Sequence, residues 1–155
     1  MCGDGGLAML MGDLLTLVQM NLPVKVVVFR NDSLAFVELE MKAAGFLNFG
    51  TDLKNPSFAK IAEAAGILGL PVDDPEQVRP ALQQALRHDG PALVEVFVNR
   101  RELAIPPTIT LAQAKGFTLY TMKAVLSGHA DEIVDLATHN SLSEIVESVK
   151  ESFGS

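Results

Sequence analysis

Cysteine is almost absent from this sequence. Cys2 stands alone, so no internal disulfide can form, and that usage fits a reducing compartment, with the cytoplasm as the expectation. Positive charge is also scarce. Twelve Lys and Arg face 19 Asp and Glu, and they form no stripe of the kind that contact with a phosphate backbone requires, which argues against nucleic acid as a partner. No run of about 18 apolar residues exists to span a bilayer, and the N-terminus lacks the basic and apolar regions of a signal peptide. Internal repeats and low-complexity segments are missing too.

What remains is the composition of an ordinary globular domain. The chain has 155 residues, 48% of them hydrophobic and 20% charged, enough for one core and too few for two. The net charge of −7 is uneven: residues 128–155 hold six acids against one base, Lys150, while residues 1–127 hold thirteen acids and eleven bases. The expected organisation is therefore a nearly neutral body, 1–127, and an acidic helical tail, 128–155.

Periodicity supplies the elements. Leu7, Leu10, Leu14, Leu17 and Val18 keep one face of a helix apolar from Leu7 to Met20. Pro23 ends it, and Val24 to Phe29 reads as a buried, β-branched strand. After turn chemistry at Asn31-Asp32-Ser33, a helix is expected over 36–44, up to Gly45. A loop over 50–56 leads to a helix from about Ser57 to Ala65, closed by Gly66. A short strand near Gly69 to Val72 follows, then a helix capped by Asp74 with Pro75 at its first position, running to about Arg87. Ala92 to Asn99 is a second apolar strand. Thr110 can cap a helix over Leu111 to Leu126, and Leu142, Ile145, Val146, Val149 and Phe153 mark an amphipathic helix in the tail. Strands separated by helices imply a mostly parallel sheet covered on both faces, that is, a three-layer α/β fold.

One constellation carries chemistry. Gly3-Asp4-Gly5-Gly6 lies just before the first helix, where glycines allow close approach to an anion and free amides attract phosphate oxygens. Asp4 would repel a bare phosphate, so the pattern asks for a divalent cation and a diphosphate together. Mg²⁺ prefers six oxygens, shared between protein, phosphate and water. Asn31, 27 residues after Asp4 and just past a strand, falls on the same expected sheet edge. The plainer reading makes Gly3 to Gly6 a turn and Asn31 to Ser33 a loop. The joint pattern of Gly-Asp-Gly-Gly, helix, proline break, strand and Asn is much rarer than either part.

With Gly3-Asp4-Gly5 and Asn31 at this interval, the sequence resembles the thiamine-diphosphate enzymes. The stretches 2–6, 9–13, 22–25, 40–43, 90–94, 102–107 and 113–117 are similar to pyruvate oxidases, above all to the flavin-containing, quinone-reducing pyruvate dehydrogenases. The likeness runs over about residues 2–137. It implies a diphosphate-binding domain whose side chains of Asp4 and Asn31, with the carbonyl of Ser33, hold Mg²⁺. Gly3, Gly5, Gly6 and Leu7 would line the cofactor, and Phe36 would stand near the reaction centre. A second Asn often precedes the liganding one in this family; here that position is Arg30.

The same resemblance implies a parent enzyme that oxidises pyruvate to acetate and CO2 with thiamine diphosphate, Mg²⁺ and FAD, and passes electrons to a quinone. Pyrimidine-binding and flavin-binding domains would lie upstream, together with the first strand of the sheet, so the chain alone is expected to be inactive. A homo-oligomer is expected, as is contact of the parent with the inner membrane surface, although the acidic tail opposes anionic lipid. Acetolactate synthases and decarboxylases share the anchor and are the alternatives, as is a non-catalytic oligomerising module. His88, His129 and His139 are scattered at helix ends, Cys2 has no His in motif range, and Glu38 and Glu40 are two apart on a helix. None of these reads as catalytic.

Overall fold

The structure, a computed structural model, describes residues 1–100, 111–131 and 133–134. Contacts divide it into two units, Met1–Ser33 with Leu53–Val98, and Leu34–Asp52 with the described residues of Asn99–Ser155.

The first unit is built on four parallel strands, β1 (Cys2–Gly3), β2 (Lys25–Arg30), β3 (Leu68–Val72) and β4 (Ala92–Phe97), in the order β1-β2-β4-β3. The β-branched runs explain the centre. Val28, Leu93 and Val94 are fully buried where β2 and β4 pair side by side. Alternation then sends neighbouring residues to opposite faces. Val28 and Leu93 pack with α1 (Asp4–Met9), α2 (Leu14–Gln19) and α4 (Phe58–Ala64) through Leu7, Leu14, Phe58 and Ala62. Val94 and Val96 pack with α5 (Pro75–Arg87) through Ala85 and Leu82. Helices thus cover both faces, as the three-layer α/β expectation has it. Pro71 is accommodated because β3 is an edge strand, where a missing N–H costs least.

The ends of the elements follow local rules. The Asp74 carboxylate accepts from the Glu76 amide at 2.9 Å with Pro75 at the first helical position, and the Ser57 hydroxyl accepts from the Lys60 amide at 3.3 Å. Gly66, with φ of +85°, closes α4 while the Ile67 amide reaches back to the Ala62 carbonyl at 2.8 Å.

The leading strand is not wholly missing, since Cys2 and Gly3 pair with Val28 and Phe29. Asp4 to Gly6 do not precede the first helix but form its first turn, with Gly3 as N-cap. The single helix over 7–20 is broken: Leu10 leaves helical geometry, Met11–Asp13 is a 3₁₀ turn around Gly12, and α2 restarts at Leu14. Glycine is a poor helix former, which the apolar spacing conceals. Leu10 is consequently exposed, as is Val18. β2 is also less buried than its composition suggests, with Val28 enclosed and Phe29 exposed.

The second unit contains α3 (Ala35–Ala43) and α6 (Leu111–Leu126), packed together with Tyr120 and Ala124 buried. Gly116 makes the close contact: a Cβ there would lie 1.7 Å from the Ala43 carbonyl oxygen. Within α3, Glu38 and Lys42 pair at 2.7 Å, and the Lys42 ammonium stands over the Tyr120 ring. Glu40 is exposed, so the two glutamates do not act as a pair. Thr110, Ile105 to Pro107, His139 and the tail helix lie outside the described residues. Among the described residues no helix is long and apolar enough to cross a membrane.

Candidate metal-diphosphate anchor

Parallel strands deliver their carboxyl ends to one edge of the sheet, and β1 and β2, being neighbours in register, end beside each other. Asp4 follows β1 and Asn31 follows β2. The sequence expectation placed both at this edge, and the structure joins the two segments: the Asp32 amide donates to Asp4 Oδ2 at 2.7 Å. Asp32 adopts φ of +53°, a left-handed conformation that Asp tolerates better than most residues. The Ser33 amide donates to Asn31 Oδ1 at 3.1 Å, closing an Asx turn.

Asp4 is 2% exposed. Its carboxylate accepts three hydrogen bonds, from the Gly5 amide to Oδ1 at 2.9 Å and from the Asp32 amide and Asn55 Nδ2 to Oδ2, the last at 2.8 Å. The ion pairs among the described residues use Arg30, Lys42 and Arg100, and none involves Asp4. A buried carboxylate with only neutral donors is costly unless a cation joins it.

The donor chemistry fits Mg²⁺. Each carboxylate oxygen offers about two acceptor positions. Oδ2 of Asp4 uses both, and Oδ1 uses one, so one position remains on Oδ1. Asn31 Oδ1 likewise keeps one after the Ser33 bond. With the Ser33 carbonyl these are hard oxygen donors of the kind Mg²⁺ takes, leaving the rest of its octahedron to phosphate and water. No three His, Cys, Asp or Glu side chains cluster to hold a metal by themselves among the described residues. Gly3 and Gly6 face open space, with nothing within 4 Å of where a Cβ would be, so a phosphate could approach the backbone there. The Leu7 side chain belongs to the core, and only its main chain is available to a cofactor.

Two residues of this site escape the sequence patterns. Asn55 sits in what reads as a plain loop before α4, yet its carboxamide bridges Asp4 and Asp32. Glu95 sits in a strand that reads as apolar, yet it is fully buried beside Arg30 at 2.9 Å. Arg30 also pairs with Asp32 and stacks over Phe97. The only sequence signal was the charge in mid-strand, since such a residue must find a partner.

Phe36, expected near the reaction centre, belongs to the second unit at the start of α3 and is 74% exposed. Cys2 packs against the core, and burial pushes its thiol above the ordinary value. That is the opposite of an activated nucleophile. His88 caps the end of α5.

Residues 1–96 match the family described as thiamine pyrophosphate enzyme, C-terminal TPP binding domain. The chain belongs to that family. It is 38% identical over 135 residues to "Putative thiamine pyrophosphate-containing protein YdaP" of Bacillus subtilis (strain 168), covering 87% of this chain and 23% of that protein. It is 35% identical over 105 residues to the mitochondrial acetolactate synthase catalytic subunit of Aspergillus candidus, 67% of this chain and 15% of that one. The pyruvate oxidase of Lactiplantibacillus plantarum is 33% identical over 102 residues, 64% and 17% of the two chains. Among solved structures, benzoylformate decarboxylase from Polynucleobacter necessarius superposes with a TM-score of 0.63 at 25% identity, over 67% of this chain and 20% of that one. The chain thus spans less than a quarter of the length of these relatives, and what it shares with them is the thiamine-diphosphate-binding α/β domain.

Proposed function

We propose that this domain anchors the diphosphate of thiamine diphosphate through Mg²⁺ held by Asp4, Asn31 and the Ser33 carbonyl. The observation that carries the reading is the Asp4 carboxylate, buried without a cationic partner among the described residues and tied to the Asn31–Ser33 turn. Gly3 and Gly6 let the phosphates approach, the buried Gly5 donates its amide to Asp4, and Leu7 supports the turn from the core. Thiamine diphosphate, when bound, supplies stabilisation of a carbanion, while the protein supplies binding and orientation.

For the enzyme that carries this domain we propose oxidative decarboxylation of pyruvate to acetate and CO2, with FAD and then a quinone taking the two electrons. Similarity to pyruvate oxidases at 2–6, 90–94 and 102–107 supports this choice. We assign it to the cytoplasm and its membrane surface, and to a homo-oligomer. Exposed Met9, Leu10 and Leu15 favour self-association; a strictly monomeric sedimentation profile at micromolar concentration would count against it. By itself the domain holds the diphosphate end and does not turn over pyruvate.

The second reading is an acetolactate synthase, favoured by the 35% identity to the fungal catalytic subunit. An assay of the enzyme carrying this domain separates the two. Pyruvate-dependent reduction of an artificial dye with acetate as product is the expected result, and acetolactate formed without dye reduction would overturn it.

A further inference from the structure

Asn55 is a polar side chain at the anchor to which the metal reading gives no task. Its Nδ2 donates to Asp4 Oδ2 at 2.8 Å and to Asp32 Oδ1 at 2.9 Å. The loop that carries it is held from the other side. Arg30 Nη2 donates to the Asn55 carbonyl at 3.2 Å and Arg30 Nη1 to the Pro56 carbonyl at 3.1 Å. Arg30 is itself fixed by Asp32 and by Glu95, each at 2.9 Å. Glu95 in turn accepts from the Ala59 amide at 2.9 Å and the Ser57 hydroxyl at 3.1 Å, at the start of α4. A continuous polar chain therefore runs from the middle of β4 to the Asp4 carboxylate.

We infer that Asn55 is a positioning residue for the Asp4 anchor: it locks the carboxylate so that Oδ1, the oxygen with an acceptor position to spare, is presented to the cation that accompanies a diphosphate. The inference rests on the reading of Asp4 as a metal ligand. A carboxylate can still rotate about its side-chain bonds after its backbone is fixed, and two donors converging on Oδ2 remove that freedom. The residue type matters. Lys or Arg at this place would neutralise Asp4 and compete with a metal, whereas a neutral carboxamide orients the carboxylate and leaves its charge available. The amide's two hydrogens also match the two acceptors it meets. Residues behind a ligand commonly set metal affinity by about 10- to 100-fold.

The test is a titration of the 155-residue chain with Mn²⁺ in inorganic diphosphate, followed by paramagnetic broadening of the Gly6 and Ser33 amide signals. Asn55→Ala and the similarly branched but apolar Asn55→Leu should each raise the Mn²⁺ midpoint by about tenfold or more. They should also speed hydrogen exchange of the Asp32 amide without metal. In an Asp4→Ala background, Asn55→Ala should add nothing to the midpoint, which a merely structural residue would not obey. Midpoints equal to wild type in both Asn55 variants, with Asp4→Ala still raising its own, would overturn the inference and leave the anchor standing. Equal broadening in wild type and Asp4→Ala would instead defeat the anchor reading. In that event unchanged Asp32 exchange in Asn55→Ala overturns the positioning role as well, and faster exchange upholds the Asn55 lock on Asp4.

Discussion

Glu95 lies fully buried in the middle of β4, and Arg30 is the cation that makes this tolerable. Burial by itself would raise the Glu95 carboxyl. Donors from the Ala59 amide, Arg30, the Phe58 amide and Ser57 outweigh it and hold the group below its ordinary value. A carboxyl depressed in the folded state contributes stability that is complete above its unfolded value, about 4.3, and is lost as pH falls through the lower folded value. Urea unfolding between pH 7 and pH 3 should therefore show an acid-side decline that is shallower in Glu95→Gln than in the native chain; an equally steep decline would contradict the pairing. Arg30→Ala, which strands the carboxylate, should cost about 3 kcal/mol or more at pH 7. At this scale the sequence is legible where a residue abuts an element boundary: Asp4 stands out because glycines flank it at the start of the first helix, and Asn31 because a strand precedes it. Asn55 does not, because its role depends on where an irregular loop returns in space, and no periodicity encodes that.

The elements themselves were legible wherever two signals agreed. A β-branched run flanked by proline or glycine marks β2 and β4, and Asp74-Pro75 fixes the start of α5 within a residue. Failure came where glycine sat inside an apolar spacing. Gly5 and Gly6 read as a turn but fill the first turn of α1, where few intrahelical bonds are at stake and an acid such as Asp4 is favoured. Gly12 interrupts a helix that Leu7 to Val18 appeared, by spacing, to continue. Gly116 is the reverse case: within α6 it looks like a weakness, and the contact with α3 gives it a reason. Replacing it with Ala gains helix propensity of about 1 kcal/mol but forces a methyl onto the Ala43 carbonyl. The clash should prevail, leaving Gly116→Ala less stable by about 1–3 kcal/mol in chemical denaturation. A stabilised variant would mean that α3 and α6 do not meet so closely.

For the whole molecule, the parallel sheet was legible as an architecture because strands alternate with helices long enough to cross it, and family membership follows from residues 1–96. The matched segment is less than a quarter of each relative's length. What the domain must do on this account is hold a divalent cation and a diphosphate at one defined edge, although residues 128–155 carry six acids that could collect cations without specificity. The most direct measurement is therefore a map of amide broadening on adding Mn²⁺ with thiamine diphosphate to the chain at millimolar concentration. The account predicts that signals of residues 3–7 and 31–33 broaden first and that Asp4→Ala abolishes this. Broadening confined to the acidic residues of 131–151, or unchanged by Asp4→Ala, would contradict it.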